Sequence, residues 1–339
     1  MEVNKKSPKK IKKIKLIQLP KRRRRIYKKP IKKAKKAKKA IKMFSKKYKL
    51  LYLLISFIII IISYKYLLKR KAFDEFKPHE VFIEAHRGVN REVFQNTKEA
   101  ILLAIKYGLD SFETDVWLSG DKVLVLVHGG FMGDISGYYN AHFKVTNANW
   151  DKLSKIRTRR GNFSMPRLDE IMQLTKNKIF MNLEIKDPRC DIVFPEIIKL
   201  IVKYDYFNQI AISSFNHRYY QKVLDFNANN KYGKKLVFGF LHGAGFNSHL
   251  YQYNQRRNSI NILWSKISKS VCRKAHAKGM AVFVWFYMGV KETYHMYKKL
   301  FDSGIDIICS NEPVKAKIFR RFYYRNKTIP KNVMKKYFS

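Results

Sequence analysis

Residues 81–88 read VFIEAHRG, an apolar run that ends in an imidazole, a guanidinium and a glycine. Two further runs have the same character: FETDV at 112–116 and NLEIK at 182–186. In both of them charged side chains occupy alternate positions, and residues two apart on a β-strand share one face. The three runs therefore predict strands with one apolar face and a charged group of side chains near their ends.

Strand-like and helix-like runs alternate from residue 80 to residue 318, which is typical of βαβ units in a parallel sheet. About eight such units over roughly 250 residues favour a (β/α)8 TIM barrel over a doubly wound sheet. No GxGxxG or P-loop motif follows the first strand, so a nucleotide-binding fold is not supported. The predicted strands are 81–86, 111–117, 123–128, 178–186, 209–213, 236–241, 281–286 and 305–309.

Positive charge is concentrated at the amino terminus. Of the 71 Lys and Arg residues, 24 lie in residues 1–49, beside a single acid, Glu2. Such a segment is too polar to bury a core, and we expect a disordered basic tail. We expect this tail to contact anionic lipid headgroups. Binding to nucleic acid is the alternative, but the apolar segment that follows favours the membrane, so no nucleic-acid partner is expected.

Residues 50–68, LLYLLISFIIIIISYKYLL, carry one charge, Lys65, and are long enough to span a lipid bilayer. No small-x-small cleavage site follows, which indicates an uncleaved signal anchor of a single-pass membrane protein. The positive-inside rule places the N-terminus in the cytosol and the globular domain in a lumen or outside the cell. The predicted segments are the tail 1–49, the transmembrane anchor 50–68, a linker 69–79, the barrel 80–318 and a basic C-terminal tail 319–339.

Three acids, Glu113, Asp115 and Glu184, fall at the carboxyl ends of predicted strands, where barrel enzymes place their active sites. Burying an ionised carboxylate costs several kcal/mol unless it is paired or bound to a cation. The pattern contains no thiolate and no second histidine close by, so the ligand set favours Mg²⁺ or Ca²⁺ over zinc. The sequence therefore predicts a divalent cation site.

Two histidines, His86 and His128, each end a predicted strand and would face each other across the mouth of the barrel. Two imidazoles beside a metal suit phosphodiester cleavage, because one accepts a proton from the nucleophile and the other gives one to the leaving oxygen. Arg87 and Lys186 would supply positive charge to the non-bridging phosphate oxygens.

Taken in order, these motifs resemble the glycerophosphodiester phosphodiesterase family over about residues 80–315. The resemblance rests on HRG at 86–88, NT at 96–97, ETDV at 113–116, His128, EIK at 184–186, VW at 284–285, GIDII at 304–308 and NEP at 311–313. The roles that it implies are acid–base catalysis for His86 and His128, metal ligation for Glu113, Asp115 and Glu184, phosphate contact for Arg87 and Lys186, and lining of the pocket near the alcohol group for Trp285.

The chain departs from the family pattern at two positions. Gln95 stands where the family usually has glutamate, which removes one acid from the edge of the site. Gly129 follows His128 where the family usually has aspartate, which removes a carboxylate beside the second histidine. The second departure affects the orientation of His128 and the shape of the entrance.

The resemblance implies metal-dependent hydrolysis of a glycerophosphodiester to sn-glycerol 3-phosphate and an alcohol. One alternative on the same barrel is a phospholipase of the lysophospholipase D or sphingomyelinase D type, so the substrate partner is a glycerophosphodiester or a lysophospholipid. An alternative of another class is a catalytically inactive binding module tethered to the bilayer by residues 50–68. The retention of both histidines, all three acids and both cationic residues argues against the inactive module.

Overall fold

The chain divides into two compact units, Met1–Leu67 and Leu68–Ser339. In this computed structural model the described residues are 48, 56, 57, 59, 80–129, 137–244 and 258–338. Within these residues, no helix is both long enough and apolar enough to cross a bilayer. Apart from the four isolated positions, the predicted tail, anchor and linker at 1–79 lie outside the described residues.

Eight parallel strands form a closed barrel in the second unit. The barrel closes because the first strand, β1 (Phe82–Ala85), pairs with β2 (Ser111–Leu118) on one side and with the last strand, β9 (Ile307–Ser310), on the other. This arrangement confirms the predicted (β/α)8 barrel. In spatial order its strands are β1 (Phe82–Ala85), β2 (Ser111–Leu118), β4 (Phe180–Ile185), β5 (Ile210–Ser214), β6 (Phe238–His242), β7 (Ser259–Leu263), β8 (Ala281–Trp285) and β9 (Ile307–Ser310).

Helices alternate with these strands, and several begin at a residue whose side chain caps the first turn. The Thr97 hydroxyl accepts a hydrogen bond from the Ala100 amide, and the Thr293 hydroxyl accepts one from the Met296 amide. The described helices are α1 (Lys98–Lys106), α2 (Trp150–Leu153), α3 (Leu168–Thr175), α4 (Cys190–Lys203), α5 (Arg218–Asn229), α6 (Lys269–Ala277), α7 (Tyr294–Ser303), α8 (Pro313–Tyr323) and α9 (Lys331–Phe338).

The interior of the barrel is polar beneath its mouth. The Asn182 amide on β4 donates a hydrogen bond of 3.1 Å to Glu84 on β1, across the intervening β2, and accepts one of 2.8 Å from the Ser213 hydroxyl. Burial raises the pKa of Glu84 to about 7. The alternate strand residues, such as Ile83 and Leu183, are fully buried in the main hydrophobic core. At these positions β1 and β4 turn apolar groups outward and polar groups inward.

The predicted set of strands needs two corrections. The strand predicted at 123–128 is only β3 (Leu124–Leu126), which pairs antiparallel with the end of β2 and is not a barrel strand. The barrel strand that the sequence did not predict is β7. A run of apolar residues predicts a strand but not whether that strand pairs parallel or antiparallel. The direction of pairing depends on which neighbouring strand it contacts in the folded sheet.

The predicted boundary between residues 318 and 319 falls inside α8. Phe319 is 2% exposed and contacts the ring of Phe338 on α9, with ring centroids 6.4 Å apart. Arg320, also on α8, donates a hydrogen bond of 2.9 Å to the Val81 carbonyl and pairs with Asp110. Helix α8 therefore packs on the barrel beside β1, and α9 packs against α8.

Candidate active site

The carboxyl ends of the barrel strands surround a cleft of about 450 Å³, a volume that includes space open to solvent. Six of the eight predicted site residues line this cleft: His86, Arg87, Glu113, Glu184, Lys186 and Trp285. Asp115, the seventh, is fully buried and pairs directly with Arg87 and Lys186. The structure therefore brings together groups that are up to 199 residues apart in sequence (86 to 285).

Three carboxylates converge at this point. Glu113, Asp115 and Glu184 each offer one oxygen, and these oxygens all lie within 4.8 Å of one another. The Oε1 atom of Glu113 is buried and accepts no hydrogen bond from a described residue. Burial raises the pKa of Glu113 and of Glu184. A buried oxygen without a donor beside two further carboxylates fits a hard divalent cation, which takes oxygen ligands.

Two cationic side chains hold Asp115. Its Oδ2 lies 3.0 Å from Arg87 Nε, and its Oδ1 lies 3.3 Å from Lys186 Nζ. The Asn96 amide donates a further hydrogen bond of 2.8 Å to Oδ2. Burial alone would raise the pKa of Asp115, but the two cations outweigh it and keep that pKa below its usual range. Lys186 also pairs directly with Glu184. Asp115 is therefore ionised in the folded protein.

The turn after β1 places Arg87. Its φ of 55° and the 77° of Gly88 lie in the left-handed region, which is uncommon for a side-chain-bearing residue and typical of functional turns. In this conformation the Arg87 amide donates a hydrogen bond of 2.9 Å to Glu113 Oε2. The Arg87 guanidinium donates one of 2.6 Å to the Gln95 side-chain oxygen. Gln95, which stands where the family usually has glutamate, thus binds Arg87 without neutralising its positive charge.

The position of His86 identifies its tautomer. Its Nδ1 lies 2.7 Å from the side-chain oxygen of Asn311. That oxygen is identified because the Asn311 amide nitrogen donates to the Tyr287 carbonyl and the Asn90 amide donates to the oxygen. Nδ1 must therefore carry the proton, which leaves the lone pair on Nε2, 3.9 Å from Glu113 Oε2. Burial and the nearby Arg87 lower the pKa of His86 to about 3.

His128 lies beside the cleft rather than in its lining. The preceding residue, Val127, donates a backbone hydrogen bond of 3.1 Å to the Asp115 carbonyl, so His128 lies two residues beyond the end of β3, at the edge of β2. Its side chain is half-buried, and burial lowers its pKa to about 4, with Asp115 acting against that shift. Gly129 has a φ of 83°, a left-handed conformation that glycine adopts without strain. A turn rather than an acid therefore follows this histidine.

Several residues that complete the site had no role assigned from the sequence, although NT at 96–97 and NEP at 311–313 belong to the motifs of the resemblance. Asn311 and Asn96 orient His86 and Asp115, and Asn182 lines the floor of the cleft. Asn96 itself has a φ of 55°, and its side-chain oxygen accepts a hydrogen bond from the Thr114 hydroxyl. A signal for Asn311 was present in the sequence, because it directly follows the last barrel strand, where barrel active sites lie. Asparagine is too common in loops for position alone to assign it a role.

The fold and the site together define a class of protein. A closed parallel barrel with three converging carboxylates, an imidazole with a free Nε2 and two cationic side chains at its carboxyl end has the features of a barrel hydrolase that acts on an anionic substrate.

Comparison with known proteins is consistent with this class and identifies the family. The model of the glycerophosphoryl diester phosphodiesterase family matches residues 86–315. The chain belongs to this family, whose members are phosphoric diester hydrolases. A glycerophosphodiester phosphodiesterase from Caldanaerobacter subterraneus subsp. tengcongensis is 26% identical over 247 residues, which cover 69% of this chain and 95% of the relative.

Solved structures share the fold. An Oleispira antarctica phosphodiesterase in complex with the product sn-glycerol-3-phosphate aligns with a TM-score of 0.60 and 18% identity, over 71% of this chain and 96% of that one. A glycerophosphodiester phosphodiesterase from Thermotoga maritima aligns with a TM-score of 0.53 and 21% identity, over 70% of this chain and 97% of that one.

Proposed function

We propose that this enzyme hydrolyses a glycerophosphodiester to sn-glycerol 3-phosphate and an alcohol, with a divalent cation held by Glu113, Asp115 and Glu184. The observation that carries the proposal is the convergence of the three carboxylates beside His86 Nε2 in one cleft. Membership of the family and the glycerol 3-phosphate bound by the Oleispira antarctica relative support this substrate class.

In the proposed reaction, His86 takes the proton of the attacking water. Its Nε2 lone pair is free because Nδ1 donates to Asn311, and its lowered pKa keeps the ring neutral near pH 7. The water oxygen bonds to phosphorus, and the bond between phosphorus and the alcohol oxygen breaks. His128 gives a proton to that leaving oxygen. The bound phosphodiester carries a negative charge, which raises the pKa of His128. His128 is therefore protonated when the substrate is bound and can donate this proton.

The remaining groups bind and orient the phosphate. Arg87 and Lys186 line the cleft and present positive charge to the non-bridging oxygens. A divalent cation bound by Glu113, Asp115 and Glu184 would add further charge stabilisation to the phosphoryl group. Asp115 holds both cationic side chains in place through its two ion pairs.

The test is an assay of the full-length protein on glycerophosphocholine, with release of glycerol 3-phosphate measured in Mg²⁺, in Ca²⁺ and in a chelator. We expect turnover that the chelator abolishes and that falls by about 10²–10⁴ in His86→Ala, because a general base is lost. We expect Glu113→Gln to lose turnover as well. Glu170→Gln, which alters a carboxylate on α3 outside the cleft, is the matched control and should behave as the wild type.

Turnover that the chelator does not reduce would exclude dependence on a divalent cation. Undiminished turnover of His86→Ala would exclude His86 as the general base. Absence of glycerol 3-phosphate release under every condition would overturn the proposed reaction.

We also propose that residues 50–68 anchor the enzyme in a membrane with the barrel on the lumenal or extracellular side. The sequence contains two N-glycosylation acceptor triplets, Asn162-Phe163-Ser164 and Asn326-Lys327-Thr328, and both asparagines are exposed. They allow the location of the barrel unit to be tested. In eukaryotic cells we expect a glycosidase-sensitive mobility shift that is lost when both asparagines are changed to glutamine. Recovery of the full chain in the supernatant after membranes are sedimented would contradict the anchor.

A further inference from the structure

A second pocket lies at the carboxyl end of the barrel, outside the cleft. Its volume is about 750 Å³, which includes space open to solvent, and no described residue lines both this pocket and the cleft. The loops that follow β1, β8 and β9 form the pocket together with helix α9. In this fold the loops after the seventh and eighth barrel strands, here β8 and β9, frequently form a phosphate-binding site.

Positive charge predominates in this pocket. Its lining has an excess of two positive charges, because it contains four cationic and two acidic side chains: Arg91, Lys291, Lys315, Lys336, Glu92 and Glu312. Among the described residues, Lys315 is the only one of these cations that pairs with an acid, and its Nζ lies 2.9 Å from Glu312 Oε1. Lys315 is buried, whereas the other three cations are exposed. Three cationic side chains therefore remain to contact a ligand.

Both acids of the pocket already accept hydrogen bonds from the protein. Besides its contact with Lys315, Glu312 accepts one of 3.0 Å from the backbone N–H of Glu292. Glu92 accepts one from the Tyr107 hydroxyl. The Arg91 guanidinium donates a hydrogen bond of 3.1 Å to the Val290 carbonyl, which holds it beside the loop that carries Lys291. The acids are thus turned to internal partners, and the pocket favours an anion.

Asn311 separates this pocket from the cleft. It lines the pocket, and its side-chain oxygen accepts a hydrogen bond of 2.7 Å from Nδ1 of His86, which lines the cleft. An anion in the pocket would therefore lie on the far side of this hydrogen-bonded pair from the reacting phosphodiester. The two cavities are neighbours, but they are separate sites.

The charge and the donors of the pocket select a class of ligand. A phosphate monoester carries a charge of about −1.5 to −2 near pH 7, which matches the excess of two positive charges. Its three terminal oxygens accept charge-assisted hydrogen bonds from arginine and lysine. A carboxylate carries only one charge, and a phosphodiester also carries only one.

We propose that this pocket binds a phosphomonoester dianion through Arg91, Lys291 and Lys336, at a site separate from the catalytic cleft. Two sources supply this group, inorganic phosphate and the sn-glycerol 3-phosphate that the proposed reaction releases. The inference does not depend on that reaction, because no residue of the cleft takes part in the binding.

The test is titration calorimetry of the full-length protein with inorganic phosphate, in a chelator and at constant ionic strength set with KCl. The chelator ensures that no divalent cation holds phosphate in the cleft. We expect saturable binding, and a Kd at least about tenfold higher when Lys291→Gln and Lys336→Gln are combined, because two charge-assisted contacts are lost. Lys178→Gln combined with Lys203→Gln removes the same charge from exposed lysines outside the pocket and should leave the Kd unchanged.

Amide hydrogen exchange locates the bound phosphate. We expect phosphate to slow exchange in the loop after β9 and in α9. A parallel titration with sn-glycerol 3-phosphate distinguishes the two sources, because the ligand with the lower Kd is the one that the pocket recognises.

Three outcomes would each overturn the proposal. The first is the absence of saturable binding of either ligand. The second is an equal Kd in the wild type and in the double variant of Lys291 and Lys336. The third is slowed exchange that is confined to the ends of β2 and β4, which would place the phosphate in the cleft. None of these outcomes would contradict the proposed hydrolysis.

Discussion

The Asn311 amide connects the last barrel strand to the first. Its oxygen accepts from His86 Nδ1 and from Asn90, and its nitrogen donates to the Tyr287 carbonyl. We expect Asn311→Leu to lower kcat by roughly ten- to a hundredfold, with KM little changed, because His86 loses the partner that fixes its tautomer and ring orientation. Steady-state kinetics measure this split. Asn229→Leu on the outer helix α5 is the control, and an unchanged kcat in Asn311→Leu would contradict the role.

Gln95 determines how much positive charge Arg87 presents to a ligand. Its neutral oxygen accepts from the guanidinium at 2.6 Å. We expect Gln95→Glu to raise KM for an anionic substrate several-fold, because a carboxylate at this distance would pair with Arg87 and oppose the substrate charge. The increase in KM should diminish at high salt, where charge interactions between partly exposed groups are screened. An unchanged KM at low salt would contradict this effect.

Glu292 is a buried acid outside the proposed reaction. It is fully buried and accepts hydrogen bonds from the hydroxyls of Tyr297 and Ser310 and from the backbone N–H of Asn311, the last at 2.7 Å. Burial raises the pKa of Glu292 from 4.5 to about 7. The folded state therefore retains a proton that the unfolded state loses between these pH values.

This shift predicts a pH dependence with a definite sign. The contribution of protonated Glu292 to stability is complete below pH 4.5 and is lost as the pH rises to about 7. The loss amounts to at most about 3 kcal/mol. Glutamine has nearly the same size as glutamate and cannot ionise. We therefore expect the free energy of unfolding of the Glu292→Gln variant to fall less between pH 5 and 7 than that of the wild type. Denaturant titrations at several pH values measure this, and parallel curves would contradict it.

At the scale of elements, the junction between β1 and α1 allows no side chain at residue 88. Gly88 has a φ of 77°, and a Cβ atom there would lie 2.7 Å from the carbonyl carbon of Ala100 on α1. We expect Gly88→Ala to destabilise the fold by about 2–5 kcal/mol, through left-handed strain plus a collision with helix backbone. Thermal and denaturant unfolding measure this change.

Gly289 provides the matched control for this prediction. Its φ of 87° is similar, but a Cβ atom there would meet nothing within 4 Å. We expect Gly289→Ala to cost only the conformational strain, about 1 kcal/mol. Equal losses for the two variants would show that close packing against α1 contributes nothing.

At the scale of the whole molecule, folding brings three carboxylates into one buried site. Their mutual repulsion and burial oppose folding, and a cation that binds only the folded state relieves both. We expect Mg²⁺ or Ca²⁺ at a hundredfold excess over its Kd to add about 2.7 kcal/mol to the free energy of unfolding, and therefore to raise the melting temperature of the full-length protein. KCl at the same ionic strength is the control, and an equal rise with KCl would contradict specific binding.

The repeating parts of the molecule could be predicted from sequence because they depend on local backbone geometry. The alternation in FETDV and NLEIK placed Glu113 beside Asp115 and Glu184 beside Lys186 on shared faces, since successive strand residues always point to opposite sides. The alternation of strands and helices predicted the barrel, and six of the eight predicted site residues line its cleft. These features require only the period of a strand and the rule that barrel sites lie at strand ends.

The contacts between site residues on distant strands were determined only by closure of the barrel. Pairing of β1 with β9 brings Asn311 against His86 across 225 residues of sequence, and this contact assigns the tautomer. Pairing of β3 with the edge of β2 determines that His128 lies beside the cleft. Burial sets the pKa values of the histidines and acids, and the degree of burial depends on tertiary contacts that the sequence alone does not show. The sequence thus determined which chemical groups are present and which faces they share, whereas contacts between distant strands determined which of them meet.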